Sequence, residues 1–261
     1  MNYSTPTGNT HSLYRDMLKQ THILIAGATG SGKSVIINGI ISTAIHKLPC
    51  DVQFILIDPK RVELVEYKNL PHTLIYASEP DDMVSALQRA LILCDIRYKS
   101  MQTTGCKKYQ GSHTYVIIDE LADLMTTDKK RVMPLIQRLC QIGRAAGISV
   151  IASTQCPLAT VISTPIKVNF DTRVGLHTVT AQHSRNITEA NGCEKLPRYG
   201  QAYYITPEGS NIVSVPMVDD AERARLIKFW KDIDAAENAE EAAAKPTPQP
   251  KRKGLFARLF A

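Results

Sequence analysis

The sequence predicts an α/β fold with a central, mainly parallel sheet flanked by helices, followed by a C-terminal β-hairpin and helix. Three observations carry this. Four short, nearly continuous apolar runs, "HILIAG" (22–27), "VQFILID" (52–58), "YVIID" (115–119) and "ISVIAS" (148–153), read as strands buried on both faces. Longer stretches with helical spacing separate them, and strand, helix, strand order implies a parallel sheet with right-handed crossovers. The first run also passes through a glycine-rich turn straight into a helical stretch.

Residues 1–20 are polar, with Pro6 and Gly8, and read as an arm that tightens around "LYRDML" before the core begins near Thr21. The clearest helix spans 78–101, where Met83, Leu87, Leu91, Cys94 and Tyr98 recur at three- and four-residue spacing. "SEPD" offers it a capping box at Ser78 and Asp81. After Ser153 the elements shorten. "TRVGLHTV" (172–179) reads as a strand, "AQHSRNITEAN" as a helix, and "GQAYYI" and "NIVSVPMV" as a hairpin across Pro207, Glu208 and Gly209. A last helix, 219–233, holds the single Trp. The domain therefore covers 21–234, and 235–261 reads as a flexible linker (235–250) and a basic amphipathic tail.

The chain has 261 residues, 44% hydrophobic and 21% charged, enough for one sizeable α/β core. Its six cysteines contain no C-x-x-C pair, which points to neither a zinc site nor a disulfide framework. No charge-free apolar run approaches the roughly 20 residues of a membrane-spanning helix, and "MNYSTPTGNTHSLYRDM" lacks the apolar centre of a signal peptide. These features fit a reducing cytoplasm. The net charge of +6 is compatible with a polyanionic partner but decides nothing until the charges are located.

"GATGSGKS", Gly27 to Ser34, matches G-x-x-x-x-G-K-[ST] in full, after a buried strand and opening a helix. Gly27, Gly30 and Gly32 let the backbone curl so that N–H groups of Ala28, Thr29, Ser31 and their neighbours through Val35 point at a β-phosphate. Lys33 is placed to reach the β- and γ-phosphates, and Ser34 to ligate Mg²⁺. "VIIDE" brings Asp119 and Glu120 to the C-terminal edge of the sheet, where open α/β sheets place their ligands. Asp119 would hold Mg²⁺ through water, and Glu120 would polarise an attacking water, which separates a hydrolase from a simple switch. A strand that merely ends in solvated acids is the alternative.

"FILIDPKRVEL" (54–64), "YVIIDELADLM" (115–125) and "RLCQIGRAAGISVIASTQCP" (138–157) resemble the motor domain of the FtsK/SpoIIIE family, ring-forming ATPases that pump double-stranded DNA. "RYKSM" (97–101) also stands in its usual place, and the similarity runs from about residue 15 to 205. The resemblance implies a RecA-like P-loop ATPase fold, ATP and Mg²⁺ as cofactors, a homo-oligomeric hexameric ring, and double-stranded DNA held without sequence specificity. It makes Gln155 a γ-phosphate sensor and Arg144 an arginine that reaches a neighbour's nucleotide; a surface cation at a helix end is the alternative for Arg144. Arg173 and Arg185 match family arginines near the subunit boundary. Lys107, Lys108 and Lys167 fall in loops that match channel-facing segments and become DNA-contact candidates, with ordinary solvated lysines as the alternative. Cys156, His183 and Gln201 depart from the family, which usually carries Arg, Asp and Asp there.

The family's N-terminal membrane segments and DNA-reading winged helix have no counterpart in this sequence, so a stand-alone motor serving a mobile element such as a plasmid, integrative element or phage is the expectation. In "KRKGLFARLFA", Leu255, Phe256, Leu259 and Phe260 share a helical face beside Lys251, Arg252, Lys253 and Arg258. Such a tip suits the inner face of an anionic membrane or a partner's groove, with terminal disorder as the alternative. Two other functions stay open: an ATPase energising protein secretion, and a nonhydrolytic ATP- and DNA-binding scaffold or coupling adaptor.

Overall fold

The structure, a computed structural model, describes residues 3–4, 10–11 and 13–243. β1 (Tyr3–Ser4) and β2 (Thr10–His11) form a small antiparallel ladder. α1 (Leu13–Met17) buries Leu13, Tyr14 and Met17, so the "LYRDML" segment belongs to the core. The elements β3 (Ile23–Ala26), α2 (Lys33–Lys47), β4 (Val52–Ile57), β5 (Thr73–Ala77), α3 (Pro80–Thr104), β6 (His113–Ile118), α4 (Leu121–Ile142) and β7 (Ile148–Thr154) follow. Then come α5 (Thr164–Asn169), β8 (Thr172–Gly175), α6 (Ala181–Thr188), β9 (Gln201–Thr206), β10 (Gly209–Ser214) and α7 (Asp220–Ala243).

The main sheet has eight strands in the order β10-β9-β8-β3-β7-β6-β4-β5. The six from β8 to β5 are parallel, and the β9–β10 hairpin is antiparallel at one end. Alternation along each strand splits the core into two layers. Ile23, Ile25, Phe54, Leu56, Tyr115 and Ile117 pack with α1, α2 and α7, whereas Leu24, Ala26, Ile55, Ile57, Val116 and Ile118 pack with α3 and α4. Tyr14 closes over α2 so tightly that a Cβ on Gly39 would lie 2.2 Å from its ring. The Tyr14 hydroxyl donates to Pro216 O at 2.6 Å, which pins α1 to the segment after the hairpin.

Several expectations change. β5 is a further parallel strand that the apolar pattern passes over, because it sits at the sheet edge with four of its five residues only half-buried. The capping box at Ser78 and Asp81 does not form. Glu79 is the N-cap and Pro80, with φ already helical, starts α3, while Asp81 and Asp82 face the helix dipole from its first turn. The last helix continues past residue 233 to Ala243, since the Ala/Glu stretch is among the best helix-forming compositions. Lys167 lies on α5 and not in a loop: Ser163 followed by Pro165 is a helix-start pattern. The tail 251–261 falls outside the described residues.

Candidate functional site

Parallel strands aim their C-terminal ends at one edge, and the predicted nucleotide groups meet there. The glycine-rich turn leaves β3, with Gly30 at φ 70° and Gly32 at φ 103°, both in the left-handed region that favours glycine. Gly27 is required for space: a Cβ there would lie 2.6 Å from Leu176 Cβ and 2.7 Å from Ser31 Oγ. Ala28 N–H donates to His177 O at 2.8 Å, fastening the turn to the segment after β8. α2 begins with neither a side-chain cap nor an acidic residue in its first turn, so its N-terminal N–H groups are left for an anion. Lys33, only 6% exposed, donates to Gly27 O and Ala28 O, both at 2.8 Å. Burial pushes its ammonium down to about 8, against the pull of Glu120 and Asp119.

Asp119 and Glu120 leave β6 two strands away from β3, with β7 between them. Asp119 is buried; burial first, then Asp58, Glu63 and Glu120, push its carboxyl up to about 7. Glu120 is held from several sides. Its Oε1 accepts from Thr154 Oγ1 at 2.7 Å and from Ala122 N at 3.2 Å, capping α4, and its Oε2 accepts from Gln155 N at 3.0 Å. Lys60 Nζ stands 3.5 Å from the same Oε2 and 3.9 Å from Asp123. Gln155, at the end of β7, accepts from Thr29 Oγ1 at 2.8 Å, so its side chain touches the glycine-rich turn. The chemistry of the set suits a nucleotide with a hard divalent cation: oxygen donors on Ser34 and Asp119, an excess of carboxylates around them, and Ser31 Oγ and Asp58 Oδ1 buried with no hydrogen-bond partner among the described residues.

The same edge carries a cleft of about 680 Å³ running from the turn to Tyr199, Val215 and Met217. Tyr199 and Met217 are 64% and 76% exposed, an apolar wall beside a phosphate turn that suits the flat face of a base. Arg198 reaches over the turn, its Nη2 lying 3.3 Å from where a Gly30 Cβ would be. Sequence reasoning missed Lys60, Arg198, Tyr199 and Met217. Lys60 stood in the quoted "DPKR", but nothing in that string says that its amine meets Glu120.

The remaining candidates lie elsewhere. Arg144 follows α4 in the turn that enters β7, at the N-terminal edge of the sheet. β7 has seven residues, a span of about 23 Å at ~3.3 Å per residue, so Arg144 is beyond reach of its own chain's nucleotide turn. It is exposed, and among the described residues its guanidinium has no hydrogen-bond or ion-pair partner. Lys107 and Lys108 are exposed just before β6, and Lys167 is half-buried on α5 just before β8, all towards that same edge. Arg173 pairs with Glu189 at 3.3 Å, and Arg185 donates to Asn191 and Gln182, so both are engaged within their own chain. Thr180 caps α6 by accepting from His183 N, Cys156 N donates to Thr154 Oγ1, and Gln201 opens β9. No helix among the described residues is long and apolar enough to cross a membrane.

Because Asp119 keeps its proton to about pH 7 in the folded chain but to about 3.8 in the unfolded one, its burial stabilises nothing at high pH. Its contribution is lost as pH rises through that window, amounting to a few kcal/mol at ~1.4 per pH unit. His22 and His113, each pushed down to about 4 by burial, act oppositely below about pH 6.5. The difference between proteins isolates the carboxylate: Asp119→Asn is expected to raise the nucleotide-free unfolding temperature at pH 8 and to change it little at pH 4. Equal shifts at both would show that Asp119 is not strained.

These features define a P-loop nucleoside-triphosphate-binding domain in which one strand separates the phosphate turn from the acidic strand. The FtsK/SpoIIIE family model matches residues 5–116. DNA translocase FtsK of Streptococcus pyogenes serotype M1 is 36% identical over 253 residues, covering 88% of this chain and 31% of the relative. DNA translocase FtsK of Leptospira interrogans is also 36% identical, over 251 residues, 87% of this chain and 26% of the relative. The chain belongs to the FtsK/SpoIIIE family and spans about a third or less of these relatives. In fold it is similar to the conjugation coupling protein TcpA, monomer form with ATPgS (TM-score 0.75, 24% identity, 88% of this chain and 70% of that one). It is likewise similar to the cytoplasmic domain of the Type VII secretion ATPase EccC of Thermomonospora curvata (TM-score 0.73, 17% identity, 88% and 30%).

Proposed function

We propose that this chain is an ATP-hydrolysing motor that assembles into a ring, each nucleotide site being completed by a neighbour, and that the ring translocates double-stranded DNA without reading its sequence. The observation that carries the reading is the division of the site between two sheet edges: Lys33, Asp119, Glu120 and Gln155 converge on one, and Arg144, whose side chain has no hydrogen-bond or ion-pair partner among the described residues, stands on the other. Backbone N–H groups of the turn and of α2 would bind the β-phosphate, Lys33 would neutralise the β- and γ-oxygens, and Gln155, which touches the turn through Thr29, would sense the third phosphate. Ser34 and Asp119 would hold Mg²⁺, which when bound neutralises phosphate charge. Glu120, oriented by Thr154 and the Gln155 N–H, takes up proton density from the attacking water.

DNA as cargo follows the names of the 36%-identical relatives and agrees with the lysines at 107, 108 and 167, which supply phosphate contacts without base readout. A nonhydrolytic scaffold would have no use for a Glu120 held by three hydrogen-bond donors and a lysine. The motor would serve a mobile element, and residues 251–261, whose sequence places two Phe and two Leu beside four cations, would meet an anionic membrane surface.

ATP hydrolysis measured against protein concentration, with and without long duplex DNA at low salt, tests the reading. The rate per chain is expected to rise with concentration and to rise further with any duplex, whatever its sequence. A rate per chain that stays flat removes the ring, and a concentration-dependent rate indifferent to DNA favours a protein cargo.

A further inference from the structure

Arg97 and Tyr98, the first two residues of "RYKSM", are far from the nucleotide edge, yet their polar groups converge on one short segment. Arg97 is 3% exposed and carries a guanidinium that burial pushes below its ordinary range. Its Nη1 donates to Ala146 O at 2.9 Å and to Gly147 O at 3.0 Å. Its Nη2 donates to Thr114 Oγ1 at 2.6 Å and to Gln53 Oε1 at 3.2 Å, anchoring it to β6 and β4. One residue on, Tyr98 donates its hydroxyl to Ile142 O at 2.8 Å. The carbonyls they hold, at 142 on one side and at 146 and 147 on the other, flank Arg144. Gly147, at φ 66°, completes the turn in the left-handed region. Tyr109 adds a third tie: its ring lies under the Arg97 guanidinium at 4.5 Å, and its N–H donates to Ala145 O at 2.9 Å.

A solvent-facing turn needs no buried cation to exist, and a buried guanidinium with four donated hydrogen bonds is an expensive way to fasten a helix to a strand. The arrangement fits a turn whose side chain must be held still. A guanidinium that acts across a subunit boundary loses its effect when displaced by an ångström or so, and among the described residues no hydrogen bond or ion pair holds the Arg144 side chain.

We propose that Arg97 and Tyr98 are positioning residues for Arg144, clamping the backbone on both sides of it so that its guanidinium is presented to the neighbouring subunit's nucleotide. The proposal rests on the reading of Arg144 as acting in trans. Tyr98→Phe keeps the ring and its packing while releasing the carbonyl of Ile142. It is expected to lower kcat about threefold to tenfold, the factor one hydrogen bond carries, with KM and fluorescent-nucleotide affinity unchanged. Arg97→Lys keeps the charge, loses the fork and is expected to lower kcat further.

Mixing experiments separate positioning from general weakening of the fold. Tyr98→Phe subunits have a sound base and a poorly held finger. Mixed with Glu120→Gln, whose finger is sound, they are expected to exceed the diluted sum of the two rates about threefold; mixed with Arg144→Ala, which offers no finger, they are not. Recovery with both partners, recovery with neither, or wild-type kcat in both Tyr98→Phe and Arg97→Lys would overturn the proposal. A control mixture of Glu120→Gln with Arg144→Ala tells the two claims apart. If that control fails to recover although the chains co-assemble, the trans role of Arg144 falls and the clamp falls with it; if it recovers while the Tyr98→Phe pattern is absent, only the clamp falls.

Discussion

Glu120→Gln is expected to bind ATP with near wild-type affinity and to hydrolyse it about 10²–10⁴-fold more slowly, the range a positioned general base contributes. The structure predicts a folded variant. An amide oxygen in place of Oε1 still accepts from Thr154 Oγ1 and still caps α4 through Ala122 N. The amide nitrogen in place of Oε2 faces the Gln155 N–H and Lys60 Nζ, both donors, so some local rearrangement accompanies the loss of charge. Equilibrium binding of a fluorescent ATP analogue beside a single-turnover hydrolysis assay checks both halves. Turnover at near wild-type rate would remove Glu120 from the chemistry.

Arg144→Ala is expected to lower turnover about 10³-fold, the lower range for an arginine supplied to a transferring phosphoryl group. It should leave the stability of the isolated chain within about 0.5 kcal/mol, because the side chain is exposed and without partners among the described residues. Nucleotide affinity of dilute protein is expected to stay near wild type, since the chain's own turn lies about 23 Å from that edge, the length of the intervening strand. A large fall in affinity at concentrations too low for assembly would contradict this separation. Thermal unfolding and binding titrations on the dilute variant provide the check.

The contrast between these two residues shows what the sequence exposes and what it hides. The phosphate turn and "VIIDE" were legible because their chemistry is local: a glycine at a left-handed position, a lysine opening a helix, two acids ending an apolar strand. The four central strands were legible for a similar reason, since burial on both faces leaves an unbroken apolar run. β5 escaped because an edge strand half open to solvent has no such run, and the start of α3 was misread because Pro80 overrides Ser78. Contacts between distant segments leave no local trace. Lys60 meets Glu120, Tyr199 and Met217 face the phosphate turn, and Arg97 holds the Arg144 turn only because the sheet order brings these segments together. Arg144 stood out through family resemblance, but its placement on the far edge from Lys33 and Glu120 is a property of the fold.

A nucleotide site shared between two chains is the central claim, and mixing two inactive proteins tests it most directly. Glu120→Gln contributes a sound finger and no base; Arg144→Ala contributes a sound base and no finger. Some boundaries in a mixed ring combine the sound halves, so ATP hydrolysis is expected to reappear on mixing, to peak near equal amounts and to depend on total concentration. If size measurements show that the two variants co-assemble and no mixture hydrolyses ATP above the level of either alone, Arg144 does not act on a neighbour's nucleotide.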